Sequence, residues 1–353
     1  RYGMESAKKM LLRVIDLRGG PEEEKDADIK IVLYKDSVTM DLQEKPFTSA
    51  YYPSPLSENF RATLEWYFKD YLQETQAQGM DKEVVAKLIL LGQHMGDNLL
   101  GEDHELIKVK ELIEEDGFEN LEVHVTSSNP DFFRELWELS VLPESKYMLS
   151  SVSKSFVRQI TSPNNCLLDT EVNFDLSTDS PLKIVHLISR PVASQSLEIF
   201  DVPRSSDAFN SYVNNLQGWA ELSQRLSKDD IHILHYDGPL LFRDEKPFLL
   251  LDQGSSTVTE TIPLSLLGQR LSKKSKGVLV LDVTTYLSDT GLVSADSGLA
   301  WCAKEASTCG FGNVLGLANI ADPWTQSLCF NSFYSQIANG LSVGQAIVEA
   351  RKF

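Results

Sequence analysis

Two short stretches hold residue types that could do chemistry together. The first is Ile231-His-Ile-Leu-His235-Tyr-Asp237-Gly238-Pro239, and the second is Val278-Leu-Val-Leu-Asp282-Val283-Thr284-Thr285. Each reads as an apolar strand that ends in polar residues. In open α/β sheets, sites form where the carboxyl ends of strands meet. His235, Asp237 and Gly238 on one strand, with Asp282, Thr284 and Thr285 on the other, are therefore the expected lining of one cleft.

Other patterns have plainer readings. Gly340-Leu-Ser342-Val-Gly344 matches the nucleophile-elbow pattern, but that elbow follows a strand, and here a helical pattern precedes it. Ser342 is read as a helix cap, with Gln345 completing a capping box. Gly310, Gly312 and Gly316 miss the dinucleotide fingerprint by one residue and lie late in the chain. His232 and His235 are three apart, which in a strand sends them to opposite faces, so they cannot grip one metal. The four cysteines, Cys166, Cys302, Cys309 and Cys329, form no CxxC pair and are too sparse for a disulfide scaffold. No metal or cofactor is expected.

The elements that must position these residues follow from periodicity. In the first part, 20–28 reads as a loop and 31–42 as a strand or hairpin, with an extended turn over 51–56. Helices are expected through Leu64–Leu72, through Val84–Leu99 capped by Asp81, and through Leu106–Ile113 with a stop at Gly117. The 121–126 stretch alternates as a strand, and Asn129-Pro130 reads as the start of a helix carrying Phe133, Leu136, Trp137 and Leu139.

The stretch 161–181, rich in Ser, Thr, Pro, Asn and Asp, reads as a junction. Beyond it, strands are expected at 183–189, 231–236, 248–252, 277–283 and 313–318. Helices are expected at 206–226, 264–271, 298–306, 326–339 and 343–351, with Gly340 closing the fourth. Strands alternating with helices argue for an α/β sandwich with a mostly parallel sheet. The expected organisation is an N-terminal segment, 1–29, then two α/β halves, 30–165 and 180–353.

Composition limits the function classes. The chain has 353 residues, with 33 Lys and Arg against 51 Asp and Glu, for a formal charge of −18. Such a chain repels phosphate backbones, so no nucleic-acid partner is expected. No apolar run reaches the roughly 18 residues of a membrane span, so no membrane partner is expected either. The opening apolar stretch is short and broken by Arg13, which does not suit a signal peptide. A reduced, cytoplasmic setting is the expectation.

Taken together, the segments resemble the CHAT domain, the caspase-like and separase-like peptidase domain common in bacterial proteins. Leu64-Glu-Trp-Tyr-Phe-Lys-Asp-Tyr-Leu resembles the family's early helix. Phe133-Arg-Glu-Leu-Trp137-Glu138-Leu139 stands where the family carries a P-W-E-L-L segment. Lys183-Ile-Val-His-Leu-Ile-Ser-Arg190-Pro191 resembles the strand that opens the catalytic half. Phe333-Tyr334, Ala338-Asn-Gly340, Ala346 and Ala350-Arg351 resemble the closing helices.

The resemblance implies a caspase-like α/β sandwich in the second half and a smaller, degenerate α/β unit before it. It also implies a cysteine–histidine dyad, and there this chain departs. The family's H-F-D-G-H-G segment reads His235-Tyr-Asp237-Gly238-Pro239-Leu240 here, with Pro239 at the place of the catalytic His. Its L-N-A-C segment reads Leu281-Asp282-Val283-Thr284, with Thr284, or Thr285 if the register slips, at the place of the Cys. Pro has no ionisable ring and no N–H, so it can serve neither as base nor as donor.

The expectation is a pseudo-peptidase that acts as a protein-binding or regulatory module. Its partner would be a protease, a protease substrate or a related CHAT protein, in bacterial defence or programmed death. One alternative is an active hydrolase with a rearranged pair: His235 with Thr284, oriented by Asp237, or a displaced Cys302. The other is a small-molecule sensor that uses the vacated pocket.

Overall fold

The computed structural model describes residues 10–17, 29–35, 38–45, 80–101, 104–129, 132–133, 135–160, 184–189, 211–212, 219–228, 231–252, 259–270, 277–289, 291–293, 295–309, 311–317 and 323–352. The loop at 20–28, the turn at 51–56, the helix through Leu64–Leu72, the junction at 161–181 and Cys166 lie outside them. The chain forms two compact units. The first takes residues 1–165 with 347–352, and the second takes 166–346 with Phe353.

The first unit is built on a five-stranded sheet. Its strands are β1 (Met10–Asp16), β2 (Ile29–Lys35), β3 (Val38–Lys45), β4 (Leu121–Ser127) and β5 (Ser155–Ile160), in the order β3-β2-β1-β4-β5. β1, β4 and β5 run parallel, and β2 and β3 fold back antiparallel. β1 falls within the N-terminal segment expected over 1–29 and pairs with β2 and β4 in this sheet. Met10, Leu12 and Val14 are buried on alternate positions, the signature of a strand with one inward face, and Arg13 falls on the other face. Helices α1 (Met80–Leu100) and α2 (His104–Asp116) lie where apolar spacing predicts them. α1 begins one residue before Asp81, so Asp81 sits in its first turn. Gly117, at φ +89°, ends the α2 run.

The helix expected after Asn129-Pro130 is replaced by a one-turn 3-10 segment, Trp137–Leu139. Trp137 turns its indole N–H onto the Phe132 carbonyl at 3.1 Å, and Val141 donates its N–H to Gly92 of α1 at 2.8 Å. These tertiary bonds take backbone groups that a continuing helix would need. A four-residue helix α3 (Leu149–Val152) then leads into β5.

The second unit is built on an eight-stranded sheet. Its centre is parallel: β6 (Ile184–Ile188), β8 (Ile233–Arg243), β11 (Gly277–Ser288) and β13 (Phe311–Gly316), with β7 (Ser211–Tyr212) beside β6. β9 (Lys246–Asp252), β10 (Thr259–Pro263) and β12 (Gly291–Leu292) add antiparallel pairings at the far ends. Its helices are α4 (Trp219–Lys228), α5 (Leu264–Arg270), α6 (Ala295–Thr308), α7 (Pro323–Ala338) and α8 (Val343–Ala350), whose last turn belongs to the first unit. The chain is thus mixed α/β with parallel strands at the centre of both sheets. The helix read across 206–226 is confined to α4, since Ser211 and Tyr212 are strand.

The ends of α7 and α8 follow the expected capping chemistry. Gly340 takes φ +85°, and the Leu341 N–H reaches back to Gln336 O at 3.1 Å. Ser342 and Gln345 exchange reciprocal bonds at 3.3 and 3.2 Å, the capping box that opens α8. Ser342 is therefore a cap, as its sequence context indicates.

Candidate functional site

β8 and β11 are adjacent and parallel, with His235 opposite Val280, Asp237 opposite Asp282 and Gly238 opposite Val283. The next paired residues are Leu240 and Tyr286. β11 thus spends two residues, Thr284 and Thr285, where β8 spends one, Pro239, which is a β-bulge. Neighbouring strands lie about 4.8 Å apart. Pro239 and the threonine pair are therefore side by side, and all three are half-buried.

Neither segment ends its strand, contrary to the sequence expectation. β8 runs on to Arg243 and β11 to Ser288. Pro239 has no N–H to give a ladder. Local chemistry makes up for that loss. The Tyr236 hydroxyl lies 2.6 Å from the Pro239 carbonyl and 2.9 Å from the Leu250 carbonyl, and it accepts the Leu250 N–H at 3.2 Å. It stands where the β8–β9 ladder, which begins at Leu240–Leu249, would have continued. Burial, which outweighs its hydrogen bond with Leu250, holds the Tyr236 hydroxyl firmly in its protonated form. Gly238 has to be small here: a Cβ would sit 2.8 Å from the Tyr236 Oη and 2.9 Å from the Ser189 carbonyl.

Alternation divides the neighbours of this rim between two faces. Leu234, Tyr236, Leu279, Leu281 and Val283 join one apolar cluster with Cys302 and Ala306 of α6. His235 meets Phe330 and Tyr334 of α7 instead. His235 is 2% exposed, Asp237 0% and Asp282 3%. The His235 Nδ1 is 2.8 Å from the Tyr334 hydroxyl, and its ring centroid is 4.6 Å from that of His186, its register partner on β6. Burial, reinforced by the charge of Asp282, pushes ionisation of Tyr334 far up, so its hydroxyl remains a neutral donor or acceptor.

This geometry decides the rearranged pairs. His235 is opposite Val280, so Thr284 lies four residues further along the sheet, about 13 Å at strand rise. That is beyond the reach of a general base, and the His235–Thr284 pair is not formed. Cys302 lies across the sheet from His235, and burial, with a smaller push from Glu305, raises its thiol well above the ordinary range. The structure does not bring Cys302 and His235 together. Asp237 stands beside Asp282, not beside a nucleophile. Among the described residues, no group of three or more His, Cys, Asp or Glu side chains is placed to hold a metal.

Sequence reasoning assigned no part to His186 or Tyr334. His186 was legible as an inward position of an apolar strand, but its pairing with His235 needs the sheet order. Tyr334 is 99 residues from His235, and its helical periodicity alone gives no partner. No protein-family model matches the chain, and no curated protein matches it.

Proposed function

We propose that the chain is a pseudo-peptidase of the CHAT type, a caspase-like module that holds a protein segment without cutting it. The observation that carries the reading is the bulge that sets Pro239 against Thr284 and Thr285. These are the positions where the resemblance expects an imidazole and a thiol, and they are neighbours on a half-buried rim. A hydroxyl beside a proline has no base to activate it. The nearest imidazole on that strand, His235, is engaged with Tyr334 and His186 inside the layer. Further support comes from the parallel β6–β8–β11–β13 centre with α6 and α7 on opposite faces, which suits a caspase-like sandwich.

The partner in this reading is an extended protein segment bound by strand addition. The net charge of −18 favours a basic one. The biological setting, bacterial defence or programmed death, belongs to the same proposal. The test exposes the immobilised chain to a mixed peptide library and reads both retained peptides and new termini by mass spectrometry. Retention without new termini is expected. Failure to retain any peptide would remove the binding role.

A further inference from the structure

Two of the segments that carry the resemblance lie far apart in the sequence, and the site above uses neither. Trp137-Glu138-Leu139 is the 3-10 turn of the first unit, and Ala350-Arg351 ends α8. Their charged residues meet. The Glu138 carboxylate takes a two-pronged bond from Arg158 of β5, with Nε to Oε1 at 2.9 Å and Nη2 to Oε2. Arg351 approaches the same Oε1 with Nη2 at 3.5 Å and donates Nη1 to the Phe156 carbonyl at 3.0 Å. The Arg351 guanidinium also lies 5.9 Å from the centroid of the Phe156 ring. Arg158 donates its remaining nitrogen to the Phe133 carbonyl.

One carboxylate between two guanidiniums is a strong arrangement, because Arg presents a fixed fork and never loses its charge. Each prong also ends on a backbone carbonyl, Phe133 on one side and Phe156 on the other. The cluster therefore joins an irregular turn, a strand and the residue that follows α8. That turn has few regular backbone bonds of its own, which is where local opening is cheapest.

We infer that Glu138 and Arg351 form a clasp through which residues 347–352 act as a strap on the first unit, fixing the turn around Trp137 against β5. Residues 347–352 group with 1–165 in the first unit. This inference does not depend on the pseudo-peptidase reading, since Glu138, Arg158 and Arg351 are not among the residues that carry that reading.

The test is hydrogen–deuterium exchange on the full chain and on Arg351→Ala, Arg351→Lys and Glu138→Gln. Arg351→Ala should speed exchange of 135–141 and of β5 about tenfold, the scale of one lost charge-assisted bond. β11 should be unchanged. Arg351→Lys should fall between, because an ammonium cannot serve both Glu138 and Phe156 as the fork does. A chain ending at Ala350 should match Arg351→Ala. Unchanged exchange in 135–160 would overturn the clasp, and so would an equal rise in both units, which would mark a general loss of stability.

Discussion

Asp237 and Asp282 are register partners on β8 and β11, both almost wholly buried. Two positions further along the same strands, the buried face gives way to the half-buried rim of Pro239, Thr284 and Thr285. The polar residues that drew attention in the sequence thus divide into a buried set under α7 and a rim set at the bulge.

The bulge makes a geometric prediction. A pair of cysteines at Pro239→Cys and either Thr284→Cys or Thr285→Cys should form a disulfide under mild oxidation, because neighbouring strands hold Cα atoms about 5 Å apart, within the 4.4–6.8 Å that a bridge needs. Mass mapping of the linked peptides reads the result. If neither pair links, the register described here is wrong.

Tyr236→Phe should destabilise the second unit by about 2 kcal/mol, because it removes the hydroxyl that accepts the Leu250 N–H and donates to the Pro239 or the Leu250 carbonyl. Gly238→Ala should cost at least as much, since the added methyl meets a backbone carbonyl that cannot swing aside. Urea unfolding of the two variants beside the native chain measures both.

Tyr334→Phe removes the bond to His235 while keeping the ring packed, so it should cost about 1–2 kcal/mol. Exchange protection should fall in α7 and β8 and hold in the first unit. An unchanged unfolding midpoint would show that the Tyr334 hydroxyl contributes nothing to seating α7.

Glu138 gives a pH dependence with a fixed sign. Burial raises its pKa, but the Arg158 charge and hydrogen bond, with Arg351, outweigh burial and hold it at about 2 against an ordinary 4.5. A depressed carboxylate contributes stability that is fully present above about pH 4.5 and is lost as pH falls towards 2. About a quarter of the side chain remains exposed, so solvent screens part of the effect. Glu138→Gln should flatten stability against pH between 4.5 and 2. An unchanged slope would contradict the assignment.

Cys302 should be inert. With its thiol buried and its ionisation pushed up, it should react with thiol reagents only after unfolding. Labelling of Cys302 in the native chain at pH 8 would show that the apolar face of the sheet is open.

The sequence made the regular parts legible where one local signal sufficed. Val84–Leu99 carries helical spacing, the 277–283 run is apolar and β-branched, and Ser342 with Gln345 is a short-range cap. The reading failed where tertiary contacts override local signals. Pro239 marks a strand end by its chemistry, yet β8 continues because a tyrosine hydroxyl fills the gap. Leu136–Leu139 has helical spacing, yet Trp137 and Val141 bond elsewhere. At the site, His235, Asp237, Asp282 and Thr284 were visible as residue types. Their separation into a buried cluster and a rim depends on register and on α7, which no local pattern encodes.

The most direct measurement is the rate at which the native chain cleaves a mixed peptide library, set beside Thr284→Ala and His235→Ala. An absence of native activity above the buffer blank, with no difference among the three proteins, is the predicted result. Cleavage by the native chain that disappears in either variant would mean that a working nucleophile and base remain, and the pseudo-peptidase account would be wrong.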